Sequence, residues 1–175
     1  LIDKGNKYAI VEADEYDRSF LQLFPDYGCI TSIDPDHLDT YGDHFEMEKA
    51  FNDFSKKISQ KLISASELDF EGLTYAVEKK ATYFGSNIRV NEGGYYFDFN
   101  TPDKIFKDVY LSLIGRHNLS NAIAAASIMH VAGLNVEKAL PSLANFEGVT
   151  RRMDVFKYNG KTIIDDYAHH PMEIK

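Results

Sequence analysis

The sequence predicts an α/β fold: a mostly parallel sheet with flanking helices and a small β insert. Three observations carry that expectation. Two short apolar runs, residues 7–13 and 27–33, each lead into acids, the format of buried strands bounded by turns. Residues 45–59 place Met47, Ala50, Phe51, Phe54 and Ile58 at helical spacing, with charge on the opposite face. Strand, turn, helix and strand in that order belong to a parallel sheet.

The elements follow in order. Residues 19–24 form a compact apolar stretch, enough for one or two helical turns. Residues 61–113 differ in character. Short β-like stretches occur at 61–64, 82–85, 88–91, 95–99 and 109–114, with a turn signal at Gly93-Gly94. These predict an antiparallel or mixed insert. Residues 117–132 make the strongest helix, rich in alanine, and Gly133 is a natural stop. A second helix over 136–145 carries Pro141, which interrupts it. Strands at 153–157 and 162–164 pair around Asn159-Gly160. The change of pattern near residue 149 predicts a domain boundary, dividing the chain into 1–149 and 150–175.

Composition narrows the function. Apolar residues make up 44% and charged residues 26% of 175, which argues against a disordered chain. With 19 basic and 27 acidic residues the net charge is −8, which argues against nucleic acid as the main partner. It leaves room for a nucleotide whose charge is offset by a metal ion. No apolar run approaches the roughly 18 residues of a membrane span. The one cysteine, Cys29, can form neither an internal disulfide nor a cysteine zinc cage, so the reducing cytoplasm is the expected location. A start at Leu1 and a stop at Lys175, after a polar cluster, suggest a piece of a longer protein.

Five constellations could carry chemistry. Glu12, Asp14, Glu15 and Asp17 follow the first apolar run, and Asp34, Asp36, His37 and Asp39 follow the second. Parallel neighbouring strands would bring both clusters to the carboxyl edge of one sheet, where open α/β sheets bind ligands. Any single acid there is most simply a solvated rim residue. Two clusters at equivalent strand ends favour a cation, and carboxylates with one imidazole suit Mg²⁺ or Mn²⁺ better than zinc. Gly115 to Asn121 opens the alanine helix, where Asn118 and Asn121 share a face and can either cap or meet a ligand. Arg151-Arg152 could clamp a phosphate or form a surface ion pair. Asp165-Asp166-Tyr167-Ala168-His169-His170-Pro171 is dense in groups able to hold metal, ribose or substrate. Gly160-Lys161-Thr162 is only a lookalike of a phosphate-binding loop. The motif needs glycine at position 155, which is valine. His44 and His130 read as structural.

Together these stretches resemble the Mur ligases. Glu12 to Phe20, Asp36 to Gly42, His117 to Ala122, Arg151-Arg152-Met153 and Asp165 to Pro171 occur in family order. The resemblance implies the family's central ATP-binding domain over 1–149, lacking the upstream P-loop segment, and the opening of its C-terminal domain over 150–175. Its implied cofactors are ATP and Mg²⁺. The implied activity is an ATP-dependent ligase joining L-alanine to UDP-N-acetylmuramate through an acyl phosphate, in peptidoglycan synthesis. By the same resemblance Glu12 and His37 are catalytic magnesium ligands. Asn118 and Asn121 read the adenine, Arg152 lies near the nucleotide phosphates, and Asp166 lies beside the ribose. Tyr167 and His169 line the substrate cleft. Tyr16 departs from the small residue expected there. Without the P-loop and the remaining domains, the 175 residues alone are expected to be inactive. Two alternatives are a murein-recycling ligase of the same family, acting on a tripeptide, and a metal-dependent phosphohydrolase. A third is a non-catalytic acidic module binding Mg²⁺ or Ca²⁺. The segment 37–41 favours the alanine-adding branch.

Overall fold

The computed structural model describes residues 7–33, 41–91, 93–152 and 154–168. It divides into two units, Leu1–Thr74 and Tyr75–Lys175. The α/β class holds, with strands of mixed direction.

In the first unit, residues 7–13 do not form the expected strand. Ile10 makes an isolated bridge and is 71% exposed. An apolar run marks a segment that could be buried, but only a paired neighbour makes it a strand. A 3-10 helix follows at Tyr16–Gln22 and carries Phe20 into the core. Strand β1, Tyr27–Ile30, pairs in parallel with β2, Lys61–Ala65, with Cys29 opposite Ile63 and Ile30 opposite Ser64. Between them runs α1, His44–Ser55. The Asp43 carboxylate accepts the Glu46 N–H at 2.9 Å and caps this helix. As the spacing predicts, α1 buries Met47, Ala50 and Phe54 against Phe20, Ile30, Tyr41 and Leu62. The Phe20 ring lies 5.1 Å from Phe51 and 5.0 Å from Phe54, the separation of favourable tilted aromatic pairs. Burial pushes the Cys29 thiol up to about 11, so it stays protonated and serves as a small core residue.

Ser64 shares this burial. It is fully inaccessible, and its hydroxyl has no hydrogen-bond partner among the described residues. An orphaned buried polar group costs about 1–3 kcal/mol of desolvation. Ser64→Ala is therefore expected to leave stability unchanged or raise it, read by urea unfolding. A loss above about 1 kcal/mol would show that the hydroxyl is in fact paired.

The second unit opens with four strands. Strand β3, Leu73–Val77, starts just before the division and runs parallel to β4, Tyr83–Asn91, with Tyr75 opposite Tyr83. Residues 78–82 make the return between them. That is shorter than the dozen or more residues usual for a parallel crossover, and it works because the paired stretch is short. Glu78 takes a positive φ of 60° there and donates its N–H to the Gly85 carbonyl. Strands β5, Gly94–Asn100, and β6, Ile105–Leu111, then add antiparallel. The two stretches expected at 82–85 and 88–91 are thus one strand, broken in register between Ser86 and Arg89. The strand at 73–77 has no counterpart in the sequence reading, and 61–65 belongs beside β1 rather than in the insert.

Helix α2, Arg116–Val131, buries Leu119, Ala122, Ile123, Ala124, Ala126 and Ser127. At its end the Tyr83 hydroxyl lies 3.1 Å from His130 Nδ1, and His130 Nε2 lies 3.3 Å from the Asp103 carboxylate. His130 is the structural residue expected. Burial, reinforced by the Asp103 charge, raises the pKa of the Tyr83 hydroxyl. Helix α3 is confined to Val136–Ala139, and a 3-10 helix, Leu140–Asn145, takes over at Pro141 as the missing N–H requires. Strands β7, Asp154–Tyr158, and β8, Lys161–Asp165, form the predicted hairpin around Asn159-Gly160.

Candidate functional site

The acidic segment after the first apolar run is tightly organised. Asp14 accepts the Tyr16 N–H on its carboxylate at 2.9 Å, and its carbonyl accepts from the Ser19 hydroxyl and the Phe20 N–H. Asp17 and Arg18 both adopt left-handed backbone, at φ 51° and 57°. Side chains with a Cβ enter that region at a cost, so surrounding bonds must hold them there. The buried Tyr41 supplies one such bond, donating its hydroxyl to the Glu15 carbonyl at 2.6 Å. The Arg18 guanidinium lies 5.1 Å from the centre of the Tyr41 ring. Burial raises the Tyr41 pKa, helped by the Glu15 charge and opposed by Arg18.

Glu12 is exposed just ahead of this turn. His37 lies outside the described residues. No three His, Cys, Asp or Glu side chains converge among the described residues. That is compatible with magnesium, which keeps most of its waters and takes one or two carboxylates plus substrate phosphates rather than a protein cage. An exposed carboxylate oxygen such as that of Glu12 is the donor type such an ion accepts.

The asparagines of α2 divide their work differently from the expectation. Neither Asn118 nor Asn121 caps the helix. The N-cap is Gly115, at φ 93°, a conformation open to glycine, and a Cβ there would meet the His117 ring at 2.6 Å. Asn118 is half-buried and donates its side-chain amide to the Ile114 carbonyl at 2.7 Å, which leaves its oxygen for other use. Asn121 is exposed one turn further on.

The Arg pair and the segment after β8 meet at one end of the hairpin. Arg152 donates its N–H to the Val149 carbonyl at 3.0 Å, closing a turn in which Arg151 has φ 62°. The Arg151 N–H donates to the Asp154 carboxylate at 2.6 Å. The Tyr167 N–H donates to the Arg151 carbonyl at 2.8 Å, and the Arg151 guanidinium lies 4.8 Å from the Tyr167 ring centre. The Asp166 carboxylate accepts the Ala168 N–H at 2.7 Å, fixing the start of the next turn. The structure thus brings together Arg152, Asp166 and Tyr167, three of the residues singled out in the sequence. His169 lies outside the described residues. Sequence reasoning missed the roles of Arg151 and Tyr41. The adjacent arginine and the Tyr in the 36–42 stretch were visible, but the stacking that links them to their partners was not.

Residues 1–129 match the family model described as the Mur ligase middle domain. The chain belongs to the Mur ligase middle-domain family. Among curated relatives, the UDP-N-acetylmuramate–L-alanine ligase of Christiangramia forsetii is 42% identical over 99% of this chain. That of Flavobacterium johnsoniae is 41% identical over 99% of it. The crystal structure of the UDP-N-acetylmuramate-alanine ligase MurC from Thermotoga maritima aligns at a TM-score of 0.80 and 29% identity, over 93% of this chain. The Mur ligase chain described here spans 39% of the length of each of these three proteins. No helix among the described residues is long and apolar enough to cross a membrane.

Proposed function

We propose that this Mur ligase segment is part of an ATP-dependent, cytoplasmic enzyme that joins L-alanine to UDP-N-acetylmuramate in peptidoglycan synthesis. The carrying observation is the identity of 41–42% along 99% of the chain to relatives bearing that name. On this reading residues 1–149 are the later part of the ATP-binding domain. Residues 150–175 open the C-terminal domain, beginning at the turn that precedes β7.

The chemistry follows from the substrates. A muramyl carboxylate oxygen bonds to the γ-phosphorus of ATP as the bond to ADP breaks. The alanine amine then attacks the acyl carbon, and the tetrahedral intermediate expels phosphate. Charge on the transferring phosphoryl oxygens must be offset throughout. Magnesium would supply part of that charge, with Glu12 and His37 as its protein ligands. Arg152 supplies a fixed cation toward the nucleotide phosphates. Its planar fork suits oxyanions. Asn121 and Asn118 offer amide groups from one helix face to the adenine edge. Asp166 offers its carboxylate to the ribose hydroxyls, and Tyr167 and His169 line the acceptor cleft.

The test is phosphate release by the full-length protein with ATP, Mg²⁺ and UDP-N-acetylmuramate, adding either L-alanine or the tripeptide. Release dependent on L-alanine is expected. Release only with the tripeptide would move the assignment to the recycling branch. Release indifferent to both amines would replace the ligase with a phosphohydrolase.

A further inference from the structure

We propose that Arg151 is a positioning residue that orients Tyr167, and through it Asp166, for acceptor binding. The inference rests on the reading of Tyr167 as a substrate-lining residue. Arg151 is an unlikely turn residue on local preference alone. Its φ of 62° is a left-handed conformation in which glycine or asparagine is at home. A cationic side chain at such a position must bring something that offsets the local cost.

Three contacts converge on it. Its N–H donates to the Asp154 carboxylate at 2.6 Å, which anchors it to the first residue of β7. Its carbonyl accepts the Tyr167 N–H at 2.8 Å, two residues past the end of β8. Its guanidinium lies 4.8 Å from the Tyr167 ring centre, within the range of a cation–π contact. Asp154 and Asp165 face each other at the open end of the hairpin, so these bonds close that end onto the turn. The hairpin itself buries little. Val155, Phe156, Tyr158, Ile163 and Ile164 are all exposed. Tyr167 is itself 51% exposed, and the Arg151 stack is a contact that fixes its ring plane. The Asp166 carboxylate, already turned by the Ala168 N–H, is one peptide away.

Glycine separates the side chain from the backbone. Arg151→Gly keeps the positive φ and both main-chain bonds while deleting the stack. In the full-length protein, with saturating ATP and Mg²⁺, we expect Arg151→Gly to raise the KM of UDP-N-acetylmuramate or of L-alanine about fivefold. That corresponds to about 1 kcal/mol, the size of a partly exposed cation–π contact. The kcat should stay within about twofold and Tm should be unchanged, a split that loss of fold would not give. Arg151→Lys should fall between, because a point charge stacks less well than a planar guanidinium. The double variant with Tyr167→Ala should be no worse than Tyr167→Ala alone. If Tyr167→Ala raises neither KM, the reading of Tyr167 falls and the inference with it. If Tyr167→Ala is impaired while Arg151→Gly is normal, or if the two effects add, the inference alone is overturned.

Discussion

Gly94→Ala is expected to destabilise the protein by about 3 kcal/mol, at the upper end of overpacking costs. Gly94 opens β5 opposite Asn91, at the tight return from β4. A Cβ there would sit on the Leu111 carbonyl oxygen, with the Leu111 carbonyl carbon at 3.0 Å and the Ser112 Cα at 3.2 Å. Those are backbone atoms, so no rotamer change relieves the overlap. Either β6 moves away from β5 or the end of the β4–β5 return opens. Leu111 is 1% exposed, and Ser112 is bonded to the Leu143 and Phe146 carbonyls, so β6 has little freedom to move. Chemical denaturation of Gly94→Ala against the parent reads the loss. Gly93→Ala is the control: nothing lies within 4 Å of a Cβ there, and only its φ of 84° opposes the change. Its cost should be about 1 kcal/mol. Equal costs at the two positions would show that the β6 backbone yields.

The contrast between those two glycines bears on what the sequence could reveal. Gly93-Gly94 was legible as a turn, yet which glycine the structure needs, and why, depends on a strand beginning eleven positions later. The helices were legible because periodicity and caps are local. Met47, Ala50 and Phe54 define the α1 face, and Pro141 ends α3 as expected. The β region was less so. The 73–77 strand lacks flanking alternation, and the bulges in β4 and β6 break the period on which strand reading depends. The order of the five motifs carried the family, which the match over residues 1–129 bears out. Glu12, Asn121, Arg152 and Asp166 were named as candidates through the family resemblance, because any one of them read by itself is most simply a surface group. Their supports are not local. Tyr41 holds the Glu15 carbonyl from 26 positions away, and Tyr167 reaches Arg151 across the whole hairpin.

Asp98 shows the same dependence at its strongest, and its removal should also cost about 3 kcal/mol. It is only 7% exposed, in the middle of β5. One carboxylate oxygen accepts the Asp108 N–H at 2.9 Å, and the other accepts the Asn87 side-chain amide at 2.7 Å. Asn87 and Asp108 both have positive φ, 50° and 55°, where β4 and β6 fall out of register with β5. One carboxylate therefore pins two strained irregularities on the strands at either side. The Asp108 N–H chiefly lowers its pKa, with Asn87, Lys107 and Arg89 adding to this against the opposing effect of burial. Asp98→Ala leaves the Asp108 N–H and the Asn87 amide without their acceptor, each tied until then to a charged group worth about 1.5–3 kcal/mol. Asp98→Asn keeps the shape but can accept from only one of the two donors. Its amide must face the other, so it should recover less than half of the loss. The pH dependence has a defined sign. Because the folded pKa lies below the unfolded one, the carboxylate's contribution is complete above the ordinary aspartate range near 3.8. It is lost as pH falls from there through the lowered folded value. The stability difference between parent and Asp98→Asn should accordingly be constant from pH 7 to about 5 and shrink on further acidification. A difference that stays constant below pH 4 would mean that the charge of Asp98 does not hold the two bulges.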